Sequence, residues 1–233
     1  MKNHFHILIF LIIIVLCGCS KNSIIQEKGE KMFNVLKGAK IEQNINLVEG
    51  FKVSQNRLIT ANISSEKIEK IIEDFIESFD EEELYLFIVV PYNLKDEKGN
   101  KVYDLLYNNI YFLDNVKKEE LKKIIKPYFD ILINDNNTSF GVATMDYTYE
   151  VCKYDFNLMR FSSHISLEKY YDILKKNNIY ENNDFKSYWD LSTKQKNEDD
   201  NFYEINGKNI YDVIKELEQY GLYDGGEWKK DTF

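Results

Sequence analysis

Histidine, cysteine and proline are scarce in this chain of 233 residues, and their scarcity narrows the chemistry it can perform. Beyond residue 20 the sequence holds a single histidine, His164, and a single cysteine, Cys152. One of each is too few for a zinc site unless carboxylates fill it, so we predict no metal and no cofactor. The two residues lie on consecutive strand-like runs with no third group to activate a thiol, which disfavours a Cys–His nucleophile.

The balance of charge is acidic, since 39 Asp and Glu residues face 30 Lys and Arg residues and give a net charge of −9. Nucleic-acid-binding domains normally carry a basic footprint, so we predict no nucleic-acid partner. An acidic domain suits a basic protein partner through electrostatic steering, and solubility alone is the other interpretation.

Apolar residues make up 44% of the chain and aromatic residues 15%, which is enough for a hydrophobic core and argues against global disorder. We expect residues 41–223 to form an α+β domain, followed by a tail at residues 224–233. Residues 19–40 are mostly polar and predict a tether, within which residues 30–37 allow a short helix.

The N-terminal segment combines Lys2 with an apolar run at residues 7–16 and small residues after it. A basic start, a run of about ten apolar residues and a small-residue cleavage site are typical of a secretory signal peptide. The run is shorter than the roughly 20 residues of a membrane span, so an uncleaved anchor is the weaker alternative.

The run ends in Leu16-Cys17-Gly18-Cys19, which resembles the lipobox of bacterial lipoproteins. This resemblance implies a signal peptide at residues 1–18, a diacylglyceryl group on the Cys19 sulfur, and fatty acylation such as palmitate on the new amino terminus. It also implies a protein that is held on a bacterial membrane by lipid, in the cell envelope outside the cytoplasm. Several buried acyl chains would hold a soluble domain firmly on that membrane.

The order of elements is predicted from hydrophobic spacing. Ile41, Ile45 and Leu47 alternate with polar residues and predict a first strand. Helical spacing predicts amphipathic helices that start near residues 64, 117, 166 and 209. Strand-like runs precede the first three, so the fold class is α+β, with antiparallel sheet and about four helices. This strand–strand–helix order indicates a divergent internal repeat, and the ordinary alternation of an α+β domain is the other interpretation.

Both prolines of the chain fall within these elements. Pro91 follows an apolar run at residues 84–90, and because proline has no amide hydrogen we expect that strand to end there. Pro127 lies within the second helix and predicts a kink, or a new helix that starts near Tyr128.

Acidic residues suggest two further kinds of site. Asp135, Asn137, Ser139 and Asp146 have the spacing of a calcium-binding loop, but Phe140 occupies the position that needs glycine, so no calcium site is predicted. The acidic runs at residues 80–83 and 198–200 would supply the paired carboxylates of an envelope hydrolase. A solvated charged surface is the plainer interpretation of both runs.

Aromatic residues are the remaining candidates for a binding surface. Four of them surround one predicted hairpin and two more follow in a loop-like region: Tyr147, Tyr149, Tyr154, Phe156, Tyr188 and Trp189. Exposed tyrosine and tryptophan often dominate the binding energy of protein interfaces, and an ordinary core is the alternative.

Residues 150–157 and 206–212 are similar to segments of uncharacterised α+β immunity proteins that accompany bacterial toxins. This resemblance implies a stoichiometric inhibitor that binds a toxin, here outside the cytoplasm, and it assigns no residue roles. We therefore expect a membrane-anchored, non-enzymatic protein-binding module. An envelope hydrolase and a structural envelope lipoprotein are the alternatives.

Overall fold

The computed structural model describes residues 33–54, 57–95, 101–193 and 202–229, and its centre is one sheet of eight strands. The strands are β1 (Gly50–Ser54), β2 (Leu58–Asn62), β3 (Glu83–Lys95), β4 (Lys101–Lys117), β5 (Ser139–Thr144), β6 (Tyr149–Lys153), β7 (Leu158–Ser163) and β8 (Tyr223–Lys229). Their order across the sheet is β1-β2-β7-β6-β5-β3-β4-β8, and every neighbouring pair is antiparallel.

The helices follow the strands in short groups. They are α1 (Ser65–Glu77), α2 (Lys118–Ile125), α3 (Phe129–Asn134), α4 (Glu168–Lys176), α5 (Tyr188–Leu191) and α6 (Ile210–Leu217), with 3₁₀ turns at Lys126–Tyr128 and Glu218–Tyr220. The predicted α+β class with antiparallel sheet is therefore confirmed. The third helix-bounded group holds three strands, β5 to β7, so the internal repeat stays a prediction.

One face of the sheet forms the main core with α1 to α4 and α6. Helix α1 shows why, because Ile68, Ile72 and Phe75 recur at helical spacing and are fully buried. Strand β3 meets them with alternate residues, among them Leu86 and Ile88. This period-two alternation leaves every second residue of the strand on the opposite face of the sheet.

Pro127 acts as predicted, because α2 ends at Ile125 and a new helix begins at Phe129 after one 3₁₀ turn. The prediction for Pro91 is wrong, since β3 continues through it to Lys95. The last residue of β3 that pairs with β5 is Val89, so at Pro91 the strand has only β4 as a neighbour. No strand pairs with β3 on the β5 side at this position, so no amide hydrogen is needed there and proline is tolerated.

The segment before β1 differs from the prediction, because the described residues 33–49 contain neither a helix nor a strand. The strand predicted at Ile41, Ile45 and Leu47 is wrong, since these apolar side chains pack as a loop around Tyr188 and Phe156. Leu36, within the predicted tether, is buried in the main core. The body of the domain thus begins near residue 33, and at its other end it includes β8, which overlaps the predicted tail.

No helix within the described ranges is long and apolar enough to span a membrane.

Candidate functional site

The face of the sheet that points away from the main core carries a second apolar cluster. Its buried members are Tyr85, Phe87, Val89, Ala143 and Cys152, and Ile110, Phe112, Met145 and Tyr154 pack against them while partly exposed. All of these residues come from strands or from the turns that follow them. We use the name aromatic face for five neighbouring rings on this side of the sheet: Tyr85, Phe87, Phe112, Tyr147 and Tyr223.

Two glycines allow phenylalanine rings to lie flat on the sheet. Phe87 in β3 pairs with Gly141 in β5, where an added Cβ would come within 2.4 Å of the Phe87 ring. Gly225 in β8 lies equally close to Phe112, because an added Cβ there would come within 2.5 Å of the Phe112 ring. Glycine within a strand marks a close approach of this kind. Each ring therefore lies over the backbone of a glycine, at a place where the side chain of a larger residue would occupy the same space as the ring.

The rings form a continuous row across the sheet. The ring centroids of Tyr147 and Tyr85 are 5.1 Å apart, those of Tyr85 and Phe112 are 6.4 Å apart, and those of Phe112 and Tyr223 are 6.0 Å apart. These are the tilted contacts that aromatic pairs prefer. The middle of the row is buried at Tyr85, whereas the two ends are open to solvent, with Tyr147 64% and Tyr223 49% exposed.

Tyr147 has an unusual backbone for a bulky residue. It lies in the turn between β5 and β6 with a φ of 58°, and its amide donates to the carbonyl of Thr144 at 2.9 Å. Such a left-handed conformation costs about 1–3 kcal/mol for a residue with a Cβ and persists only where the surroundings impose it. The turn thus holds an exposed tyrosine in a strained position.

Asp146 organises this turn. Its carboxylate accepts hydrogen bonds from the hydroxyl of Thr144 at 2.7 Å and from the hydroxyl and amide of Thr148 at 2.6 and 2.9 Å. These hydrogen bonds, that of the Thr148 hydroxyl foremost, lower the pKa of Asp146 to about 2. At neutral pH the turn therefore carries a fixed negative charge beside Tyr147.

Two more carboxylates lie on the same face. Asp114 accepts a hydrogen bond from the Tyr223 hydroxyl at 2.5 Å, and this bond raises the pKa of Tyr223. Glu150 in β6 is half-buried, and its burial raises its pKa. Tyr85 lies between Asp114 and Glu150. Its burial, and then the charge of Glu150, raise the pKa of its hydroxyl. Two carboxyl groups therefore flank the row, and burial disfavours the charged form of Glu150.

Cys152 lies further along β6 and is buried. Burial raises the pKa of its thiol, so the reactive thiolate is disfavoured at neutral pH. Arg160 pairs with Cys152 across the strands, and its guanidinium lies 4.8 Å from the centre of the Tyr154 ring. We interpret this group as packing on the sheet surface.

The six aromatic residues selected from the sequence do not form one surface. Tyr147 belongs to the aromatic face, and Tyr154 lies on the same side of the sheet beside Cys152. Tyr149 points into the main core, where its ring lies 4.6 Å from that of Phe79. Phe156, Tyr188 and Trp189 form a separate group at the other end of β6.

The rings of Phe156, Tyr188 and Trp189 all pack against one another. The rings of Phe156 and Tyr188 stack with centroids 3.7 Å apart, and Trp189 meets them edge-on at 5.1 and 5.2 Å. The indole nitrogen of Trp189 donates to Asp155 at 3.1 Å. Leu47 packs against these rings, so the group fixes the N-terminal segment to the sheet.

Asn157 connects the same region through its side chain. It is fully buried, accepts from the amide of Leu36 at 3.0 Å, and donates to the carbonyls of Asn34 at 2.9 Å and Ile63 at 2.8 Å. Phe156 and Asn157 both have positive φ, 48° and 65°. Together they form the tight turn of the β6–β7 hairpin.

Sequence reasoning missed four residues of the aromatic face, namely Tyr85, Phe87, Phe112 and Tyr223. Tyr85 is hidden in the uninterrupted apolar run at residues 84–90, whose alternate positions face opposite sides of the sheet. Tyr223 is the last residue of the predicted domain, directly before the predicted tail. Period-two counting along β3 is the one signal that separates Tyr85 and Phe87 from the main core.

Other candidate sites are placed as follows. The calcium-like spacing falls on a loop and on β5, which begins at Ser139. Of the two acidic runs, residues 80–83 lie at the start of β3, and residues 198–200 lie outside the described residues, as does Cys19. In the part of the chain that the structure describes, no three His, Cys, Asp or Glu side chains are grouped to hold a metal ion.

Comparisons of this chain with protein-family models, with curated proteins and with solved structures found no match.

Proposed function

We propose that this chain is a bacterial lipoprotein, held on the membrane outside the cytoplasm by lipid on Cys19, whose domain acts as a non-enzymatic protein-binding module. The observation that carries the binding role is Tyr147, a largely exposed ring held by a strained turn at the end of a row of aromatic side chains. The partner that the immunity-type resemblance implies is a secreted toxin.

The composition of the aromatic face supports a binding role. Tyrosine is enriched at protein interfaces because it offers a large rigid ring together with a hydroxyl group. Tyr147 and Tyr223 present such rings to solvent, and the buried rings of Tyr85 and Phe112 support them from below. Strained backbone clusters at functional positions, and Tyr147 has a left-handed backbone.

The position of the aromatic face also suits a tethered protein. The described chain begins at Phe33, and Asn34 is hydrogen-bonded to Asn157 in the turn that follows β6. Tyr147 lies in the turn that precedes β6. A strand of five residues separates the two ends by roughly 15 Å. The first described residues of the domain therefore lie away from Tyr147.

The anchor is tested by replacing each of the two cysteines of the signal separately. Cys19→Ser should abolish lipidation, so the protein should leave the membrane fraction and its N-terminal peptide should lack the acyl mass. Cys17→Ser is the matched control and should leave both properties unchanged. Membrane association and acyl mass that survive Cys19→Ser would contradict the anchor.

The binding surface is tested by affinity capture from the host envelope and culture medium with the full-length protein in detergent. Wild-type protein should retain one stoichiometric partner, and Tyr147→Ala should lose most of it. Tyr180→Ala is the control, because Tyr180 is 60% exposed and lies outside the aromatic face. A partner that is retained equally by both variants would place the binding surface elsewhere.

A further inference from the structure

The exposed rings of the aromatic face are arranged to attract a cation. The face of an aromatic ring carries partial negative charge and attracts an ammonium or guanidinium group within about 6 Å of its centre. The exposed ring of Tyr147 lies 5.1 Å from the buried ring of Tyr85, so a cation can approach Tyr147 from the solvent side. Tyr223 offers a second exposed ring across Phe112.

Carboxylates flank these rings on both sides. Glu150 pairs with Ala143, and Ala143 pairs with Tyr85, so Glu150 lies two strands from Tyr85 on the same face. Asp114 lies in β4 on the other side of Tyr85 and is bonded to the Tyr223 hydroxyl. Asp146 adds a charge in the turn that holds Tyr147.

Basic groups also lie around this face. Arg160 lies over Tyr154, just beyond the end of β6, and the backbone amide of His164 donates to the carbonyl of Thr148 beside the Tyr147 turn. Lys117 pairs with Glu83 at the last residue of β4. The chain as a whole carries a net charge of −9, which adds long-range attraction for a basic partner.

We infer that the aromatic face binds a lysine or arginine side chain of the protein partner, with the cation against the exposed ring of Tyr147 on the face that the carboxylates of Asp114 and Glu150 flank. This inference rests on the proposed binding function and names the chemistry of the partner. A basic segment with an exposed lysine or arginine fits the rings and the carboxylates together, whereas a purely apolar segment fits only the rings and an acidic segment fits neither.

Short peptides serve as the probe, because they test the cation without knowledge of the partner. Oligolysine and oligoarginine should bind the full-length protein in detergent, measured by titration calorimetry, and oligoglutamate should not. Tyr147→Leu should weaken oligolysine binding about fivefold, since it keeps apolar bulk and loses the ring. Tyr147→Phe keeps the ring and should bind as the wild type does, which also shows that the turn tolerates substitution.

A matched pair of charge variants separates this site from general attraction. Asp114→Asn should weaken oligolysine binding severalfold. Asp172→Asn removes the same charge from an exposed position on α4 and should have little effect. Equal effects of these two variants, or binding that is unchanged by Tyr147→Leu, would overturn the inference. If partner capture depends on Tyr147 but oligolysine binding does not, the inference that the face binds a cation is refuted. The proposed binding surface then still stands.

Discussion

Because Tyr147 lies in a strained turn, we expect its replacement by glycine to give a more stable protein than its replacement by alanine, which is the reverse of the usual order. Tyr147→Ala and Tyr147→Gly both remove the ring and its contact with Tyr85, a loss of about 1 kcal/mol for a residue that is mostly exposed. They differ in the backbone, because alanine keeps the left-handed penalty of about 1–2 kcal/mol while glycine does not. Glycine loses about 0.5–1 kcal/mol through the freedom of the unfolded chain. The glycine variant should therefore be the more stable by about 0.5–1 kcal/mol.

Urea unfolding followed by circular dichroism measures this difference in the free energy of unfolding. The control is the same pair of substitutions at Tyr180, which is exposed and has an ordinary backbone, so there alanine should be the more stable. Both Tyr147 variants should lose oligolysine binding to the same extent, because both lack the ring. Equal stability of the two variants, or a more stable alanine, would refute the argument that the turn is strained.

Three further predictions concern the framework, and unfolding measurements check each. Asn157→Ala leaves the amide of Leu36 and the carbonyl of Ile63 without their buried partner, so it should lower stability by about 3–5 kcal/mol, and a loss below about 1 kcal/mol would contradict this. Gly141→Ala should cost at least about 2 kcal/mol, because its Cβ would clash with Phe87 and with a backbone carbonyl; an unchanged midpoint would count against that packing. Asp74 on α1 is buried, which favours a higher pKa, but hydrogen bonds from Lys176, Lys70 and Asn177 outweigh burial and lower the pKa. A lowered pKa in the folded state adds stability above the unfolded value of about 3.9, so the deficit of Asp74→Asn at neutral pH should shrink as the pH falls from about 5 to 3, and a constant deficit would contradict it.

Much of the fold follows from local patterns, and the failures have specific causes. The spacing of apolar residues in α1 and the position of Pro127 are local signals that tertiary packing preserves. Alternation at Ile41, Ile45 and Leu47 fails because a loop around aromatic rings can bury the same residues. Pro91 fails because its effect depends on which neighbours the strand has at that point, and the sequence does not state the order of the strands.

The candidate site was accessible from the sequence only in part. Tyr147 stands out because an aromatic residue in a tight polar turn is unusual. Tyr85, Phe112 and Tyr223 come from three strands that are far apart in the chain, so only the pairing of β3, β4 and β8 brings them together. Where both faces of a strand are buried, the apolar run is continuous, so counting in twos divides the residues into two sets but hydropathy does not tell which set faces the main core.

The hydrogen bonds of Asn157 have a mechanical consequence. If lipid on Cys19 holds one end of the molecule and a partner grips the aromatic face, tension enters the domain at Phe33 and leaves it near Tyr147. That path runs along β6, so the hydrogen bonds to β5 and β7 are loaded in shear and resist together. The side chain of Asn157 is one of the first connections on this path, because it bonds Asn34 and Leu36 to the β6–β7 turn, while Asn34 is also bonded to Ser64 and Ser65 before and at the start of α1. A pull on the tether is therefore passed to the centre of the sheet before it can peel the N-terminal segment away.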